Sequence, residues 1–257
     1  MREVLLNFLC CPICKGELKT VKISYIDNEI TSGYLLCKQC NMVFPIENGI
    51  PNMLVKQCFG LKNTLSKVIY DLYAPIYDPI ESRLMNTIGF SEKILRETIV
   101  SRMNIKNDDC ILEICVGTGA NIPFFLRRKC RMIVGLDISK EMIKQCLLKA
   151  KRLNWKNVEL VLGCAEYLPF KSNVFDKVLI GGAISYFSNP HLAIDEAIRV
   201  TKPRGLLVIF EQLTILEKLL RRDLIPMLYK PTNAKLLSFE YLFRKNIYIA
   251  TFQKMSL

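Results

Sequence analysis

Four cysteines stand as two C-x-x-C pairs, Cys11-Pro12-Ile13-Cys14 and Cys37-Lys38-Gln39-Cys40, with 22 residues between the pairs. Two residues between thiolates let a knuckle turn aim both sulfurs at one ion, and two knuckles complete a tetrahedral four-cysteine site. Zinc suits four thiolates and is redox-silent. A closed set of four leaves no open position, so the metal is structural. Binding it would take the net charge from +12 to about +10. Lys15 and Lys38, inside the knuckles, would offset the charge of the site. A piece of about 50 residues barely sustains a core, so the metal would supply its fold. Cys10, next to the first pair, is read as a packing thiol.

A second cluster surrounds a glycine turn. Ile111-Leu112-Glu113-Ile114-Cys115-Val116-Gly117-Thr118-Gly119-Ala120-Asn121 reads as a strand, a tight turn and a helix start. Glycine permits positive φ and close approach of the backbone to a ligand. A dinucleotide site wants G-x-G-x-x-G, and the third glycine position here is Ile122, so that fingerprint fails. Glu113, just before the loop, would repel a phosphate but attract an ammonium or sulfonium. Asp137 ends the next strand, 18 residues beyond Gly119, where a carboxylate can accept both hydroxyls of a ribose. Glycine loop, upstream acid and ribose acid together describe a site for S-adenosylmethionine.

The elements that must position these residues follow from the rest of the pattern. The chain has 257 residues, 51% of them hydrophobic, which is enough for one α/β domain and a small appendage. Residues 1–55 hold the cysteine pairs, with short strands and turns. Residues 56–105 read as a helical linker or lid broken at Pro75 and Pro79. Residues 106–257 alternate short apolar runs with amphipathic helical patterns, the mark of βαβ units and a parallel sheet. Strands are expected at Cys110–Val116, Arg131–Leu136, Val158–Leu162, Lys177–Ile180 and Leu206–Phe210. Helices are expected from Ala120, from Ser139 as N-cap to Arg152, and over Leu192–Val200. A turn is expected at Lys202–Gly205, and a closing hairpin at Leu236–Leu242 and Ile247–Phe252. No segment has the roughly 20 apolar residues of a spanning helix, and the short apolar run Val4–Leu9 is no secretion signal. Eleven cysteines, an odd number, point to a reducing, cytoplasmic setting.

Two resemblances sharpen this reading. Leu5–Leu18, Leu36–Cys40 and Val43–Leu54 closely resemble the small zinc-ribbon proteins that activate tRNA, rRNA and release-factor methyltransferases, and all four metal positions are kept. Residues from about 70 onward resemble class I S-adenosylmethionine-dependent methyltransferases of the ubiquinone/menaquinone-biosynthesis type. The matching pieces are Leu112–Gly119, Gly135–Ser139, Gly163–Phe170, Phe175–Leu179 and Glu196–Gly205. The resemblance implies an α/β fold: a Rossmann-like seven-stranded methyltransferase sheet, its last strand antiparallel, behind an N-terminal zinc ribbon. It implies that Glu113, Cys115, Gly117 and Gly119 flank the methionine part of the cofactor. Asp137 would hold the ribose, Cys164 and Ala165 would edge the adenine, and Ile138 is a further cofactor-binding candidate. Two positions depart from the family. The first loop glycine is Cys115, tolerable if its backbone keeps φ negative. The usual adenine-edge aspartate is Cys164, and the lost acceptor should weaken binding by about 1 kcal/mol.

Tyr70-Asp71-Leu72-Tyr73-Ala74-Pro75-Ile76-Tyr77-Asp78 resembles the lid of bacterial phospholipid N-methyltransferases. Tyr73 and Tyr77 can cover a sulfonium by cation–π contact, and Tyr186 is a third acceptor-side candidate. His191, the sole histidine, stands at a helix start and is read as a surface or cap residue, so no general base is named. The basic insert Leu213–Pro231 can lie on an anionic membrane or cap the acceptor pocket, which would make the protein peripheral to the membrane. The helix Ser139–Arg152 offers a second basic face that RNA could use. The first reading is methyl transfer to a small-molecule or lipid acceptor. The alternatives are an rRNA or tRNA methyltransferase and a non-catalytic cofactor-binding or scaffold module.

Overall fold

The computed structural model describes residues 1–79, 91–213, 229, 231–243 and 245–256. A four-stranded antiparallel sheet comes first, in the order β1 (Leu18–Ile26), β2 (Glu29–Cys37), β3 (Val43–Glu47), β4 (Ile50–Pro51). Asp27 and Asn28 turn the first hairpin and Asn48 and Gly49 the last, all four at positive φ. Two-residue loops of that hand match the twist of the strands they join.

The second sheet has seven strands: β5 (Cys110–Ile114), β6 (Met132–Asp137), β7 (Val158–Leu162), β8 (Phe175–Gly181), β9 (Thr201–Gln212), β10 (Ala234–Leu242) and β11 (Ile247–Lys254). Their order is β10-β11-β9-β8-β5-β6-β7, with β11 antiparallel to both neighbours and the ladders from β9 to β7 parallel. This is the Rossmann-like methyltransferase sheet expected. Every residue of β5 and β6 is buried, as in strands covered on both faces. Among the described residues the α-helices are α1 (Leu61–Tyr73), α2 (Glu92–Met103), α3 (Ile122–Leu126), α4 (Lys140–Arg152) and α5 (Pro190–Val200). Ser139 caps α4 by accepting from the Met142 N–H, and Asn189 caps α5 by accepting from Leu192, each filling an orphan donor of a first turn.

Two expectations differ, and a third falls outside the described residues. The helix expected from Ala120 starts at Ile122, because Asn121 is buried and its side chain is taken up by Glu113 and Arg96. The turn at Lys202–Gly205 lies inside β9 as a bulge. There Arg204 takes φ +62°, and the pairing jumps from Phe175 with Thr201 to Lys177 with Leu206. The insert Leu213–Pro231, apart from Leu213, Tyr229 and Pro231, lies outside the described residues.

The cysteine-bearing sheet is welded to the edge of the large one. The Met53 N–H donates to the Leu162 carbonyl (2.8 Å), Cys10 to Pro169 (2.9 Å), and Lys171 back to Phe8 (2.8 Å). Asn52 bridges Leu162 in parallel register, so this segment covers β7, which would otherwise be an open sheet edge. Leu5, Leu9, Phe44 and Met53 join Val161, Phe170 and Phe175 in one buried cluster. Ion pairs border the seam: Arg2 with the buried Glu159 (2.6 Å), Lys15 with Glu196 (2.7 Å) and Glu47 with Lys140 (2.9 Å). One core predicts one unfolding event. Leu9→Ala should lower the stability of the whole chain by roughly 2–5 kcal/mol, seen in denaturant melts as a single shifted transition. A separate early transition for the N-terminal part would contradict the shared core.

Candidate functional site

The Sγ atoms of Cys11, Cys14, Cys37 and Cys40 all lie within 4.8 Å of one another. Cys11 and Cys40 are 3.6 Å apart, and Cys14 and Cys37 are 3.4 Å apart. A tetrahedron of thiolates about 2.3 Å from one ion has edges of roughly 3.8 Å, so the four sulfurs suit such an ion. Both knuckles are built alike. Lys15 and Asn41, the residues after each pair, take φ +59° and +58°. Their N–H groups close back onto the Cys11 and Cys37 carbonyls at 3.0 and 3.1 Å. Lys15 and Lys38, expected to offset the charge of the sulfurs, instead turn their ammonium groups to Glu196 and Glu17. The Lys15 contact carries the first knuckle onto α5.

The glycine loop lies at the carboxyl end of β5, where α/β sheets bind ligands. Asp137 organises it. Its Oδ2 accepts the Gly117 N–H (2.8 Å) and its Oδ1 the Ser139 N–H (2.9 Å). Each oxygen keeps a further lone pair for a ligand hydroxyl. Burial pushes the Asp137 carboxyl up to about 6, against those backbone donors. Glu113 is also buried. Its Oε1 accepts from Asn121 Nδ2 (2.6 Å), while its Oε2 has no partner among the described residues. Burial raises its carboxyl to about 7, with Asn121 and Arg96 pulling the other way.

Two adjoining cavities meet at this loop, of about 680 and 1030 Å³. The first is lined by Asp137, Ile138, Cys164, Ala165 and Gly117; the second holds Glu113 and Tyr73. Cys115, Gly117, Tyr77 and Tyr186 border both. The residues singled out in the sequence therefore converge, with one exception. Gly119 lines neither. It takes φ +83°, and a Cβ there would lie 2.8 Å from Cys146 Sγ and 3.1 Å from the Trp155 ring. Its glycine serves the packing of the loop on α4. A Cβ on Gly117 would meet nothing within 4 Å, so φ +53° and the open cavity define that position.

Cys115 departs from expectation. Its φ is +62°, not negative, a conformation that costs an L-residue of order 1 kcal/mol. The Cys164 Sγ lies 2.6 Å from the Cys58 Sγ; that neighbour, with burial, raises the Cys164 thiol, and the contact lowers the Cys58 thiol.

Sequence reasoning missed three residues at these cavities. Tyr70 touches both and packs edge-on against Tyr186, with centroids 6.2 Å apart. Its helical spacing with Tyr73 and Tyr77 was the available signal. Arg96, on α2, is buried with its Nε unpartnered beside the second cavity. Glu211, at the end of β9, is 1% exposed, accepts from the Ser185 N–H, and lines the same cavity. Nothing local in the sequence marks these two. His191 is exposed and stacks on Tyr229 at 4.7 Å, and it borders neither cavity.

Residues 112–209 match the family model described as a methyltransferase domain, and residues 2–49 match that of Trm112p-like protein. A demethylmenaquinone methyltransferase of Oceanobacillus iheyensis is 30% identical over 156 residues, covering 59% of this chain and 65% of the relative. The chain thus spans less than two thirds of the length of that relative. Among solved structures, the cyclase SpnF aligns with a TM-score of 0.59 at 16% identity, covering 75% of this chain and 96% of that one. The complex between the Haloferax volcanii Trm112 methyltransferase activator and a methyltransferase aligns with a TM-score of 0.59 at 13% identity, covering 73% of this chain and 98% of that one. At such identities the likeness shows the fold, which by itself does not select a reaction.

The two buried carboxyls bind their protons more tightly in the folded than in the unfolded chain. Their contribution to stability is therefore full below about pH 4 and is lost as the pH rises through 6 and 7. Glu113→Gln removes one of them. The ligand-free variant should flatten the fall in melting temperature between pH 5 and pH 8, gaining on the order of 1–3 kcal/mol at pH 8. An unchanged pH profile would contradict the burial of this carboxyl.

Proposed function

We propose that this chain, a methyltransferase domain joined to a Trm112p-like N-terminal segment, transfers a methyl group from S-adenosylmethionine to a small apolar acceptor of the quinol or aromatic-ring class, with structural zinc in its cysteine cluster. The observation that carries the reading is the buried Glu113, its Oε2 unpartnered among the described residues, in the wall of a cavity that adjoins the one containing Asp137. A buried carboxylate oxygen without a donor is costly, and an ammonium group of a bound ligand supplies one. Arg96 Nε, the other orphan on that wall, suits the carboxylate of the same amino-acid moiety. Asp137 would take the ribose hydroxyls, and Cys164 and Ala165 would edge the base. The cofactor supplies an activated methyl on a sulfonium.

The protein's own part is alignment, exclusion of water and removal of a proton. Tyr70, Tyr73, Tyr77 and Tyr186 form an aromatic wall on the acceptor side, with rings 5.4–6.4 Å apart. Such faces favour both a flat ring and a neighbouring cation. Glu211, which lines the second cavity, would take a hydroxyl proton from a quinol and leave the adjacent ring carbon nucleophilic. The name of the curated relative supports this acceptor class. The basic face considered for RNA is partly occupied, since Lys140, Lys144 and Lys149 pair with Glu47, Glu141 and Asp78.

Labelled S-adenosylmethionine incubated with the protein and a cell extract should mark the lipid or small-molecule fraction. Label confined to RNA would replace this acceptor, and no heat of cofactor binding in calorimetry would remove the enzyme reading. Cofactor affinity should weaken by up to about tenfold per pH unit below 7, as Glu113 takes up its proton. Metal analysis should find one zinc per chain. A chelator, or Cys37→Ser, should lower the melting temperature of the whole protein, because the ribbon and the large sheet share a core.

A further inference from the structure

Helix α1 is amphipathic the wrong way round. Its polar face looks inward. Asn63 donates to Glu166 (3.0 Å) and accepts from the Ser188 N–H (2.9 Å), and Asp71 accepts from Ser139 Oγ (2.6 Å). Tyr70 and Tyr73, on the same side, line the cavities. The outward face carries Leu61, Leu65, Val68, Ile69 and Leu72, continued by Ile76 past the helix end, each at least half exposed and Leu61 87% exposed. At 100° per residue these positions fall within one arc of about 100°. The one acid of α1, Asp71, is turned to Ser139 and Lys67, so no carboxylate interrupts the stripe. Exposed Lys56 and Lys62 stand at its start. An aliphatic stripe of this kind on a water-facing helix marks a surface that is covered in use.

We propose that the outer face of α1 docks the protein on an anionic phospholipid bilayer, with its aliphatic residues in the acyl boundary and its lysines among the head groups. Charge decides between occupants. The chain carries +12, which draws it to an anionic surface and opposes the approach of a second copy through the same stripe. Docking there would turn the opposite, cavity-lining face of the helix toward the body of the protein. The surface stands independently of the reaction proposed above, since it needs neither cofactor nor acceptor.

The test is flotation of the full, metal-replete protein with vesicles, without cofactor. Vesicles of phosphatidylcholine with phosphatidylglycerol should carry the protein upward, less so as salt is added, and pure phosphatidylcholine vesicles should carry little. The Leu65→Glu/Leu72→Glu double variant should lower the bound fraction about tenfold or more, with unchanged melting temperature and unchanged cofactor binding. Three outcomes overturn the proposal. One is absence of vesicle binding by the parent protein. Another is a concentration-dependent dimer that the variant abolishes. The third is a fall in the melting temperature of the variant, which would mean that another part of the chain covers the stripe.

Discussion

The Asp137 carboxylate holds the functional end of this protein together. Its two oxygens clamp the Gly117 and Ser139 amides, joining the glycine loop after β5 to the start of α4 after β6. That bridge adds to the backbone bonds that continue past the strand ends, such as the Val116 N–H to the Leu136 carbonyl (3.0 Å). The same carboxyl is buried enough to sit near pH 6. It is therefore kept at a cost that the hydroxyls of the proposed ligand would offset.

The second constraint is the edge of the large sheet. β7 ends the sheet order, and an uncovered edge strand invites pairing with other chains. Here the N-terminal segment occupies it through Asn52 and Met53 and fills the space below with Leu5, Leu9 and Phe44. The cysteine knuckles lie beyond this seam, and Lys15 reaches from the first of them to Glu196. Folding of the small sheet and solidity of the large one are thus a single problem.

Much was legible in the residues themselves. The cysteine spacing needs only local backbone geometry, and Lys15 and Asn41 adopt the left-handed turns that such knuckles require. The glycine loop, Asp137 and the Ser139 cap are likewise local, each set within a few residues of a strand end. The strand runs of β5 to β9 announce themselves because strands buried on both faces must be apolar throughout. Expectations failed where a distant side chain intervened. Asn121 is drawn in by Glu113 and Arg96, and it displaces the helix start. Gly119 is set by Cys146 and Trp155, residues that no local rule connects to it.

By itself, then, the amino-acid order determined the kinds of elements, the cysteine cluster and the loop with its two acids, since each depends on short-range backbone rules and on patterns of burial. Only the tertiary structure decided what those groups face. It left one oxygen of Glu113 without a donor, brought Arg96 and Glu211 to the same cavity from separate elements, and turned the aliphatic side of α1 outward. The physical reason is that burial, partner and orientation are properties of a packed assembly, which sums contacts between residues far apart along the chain.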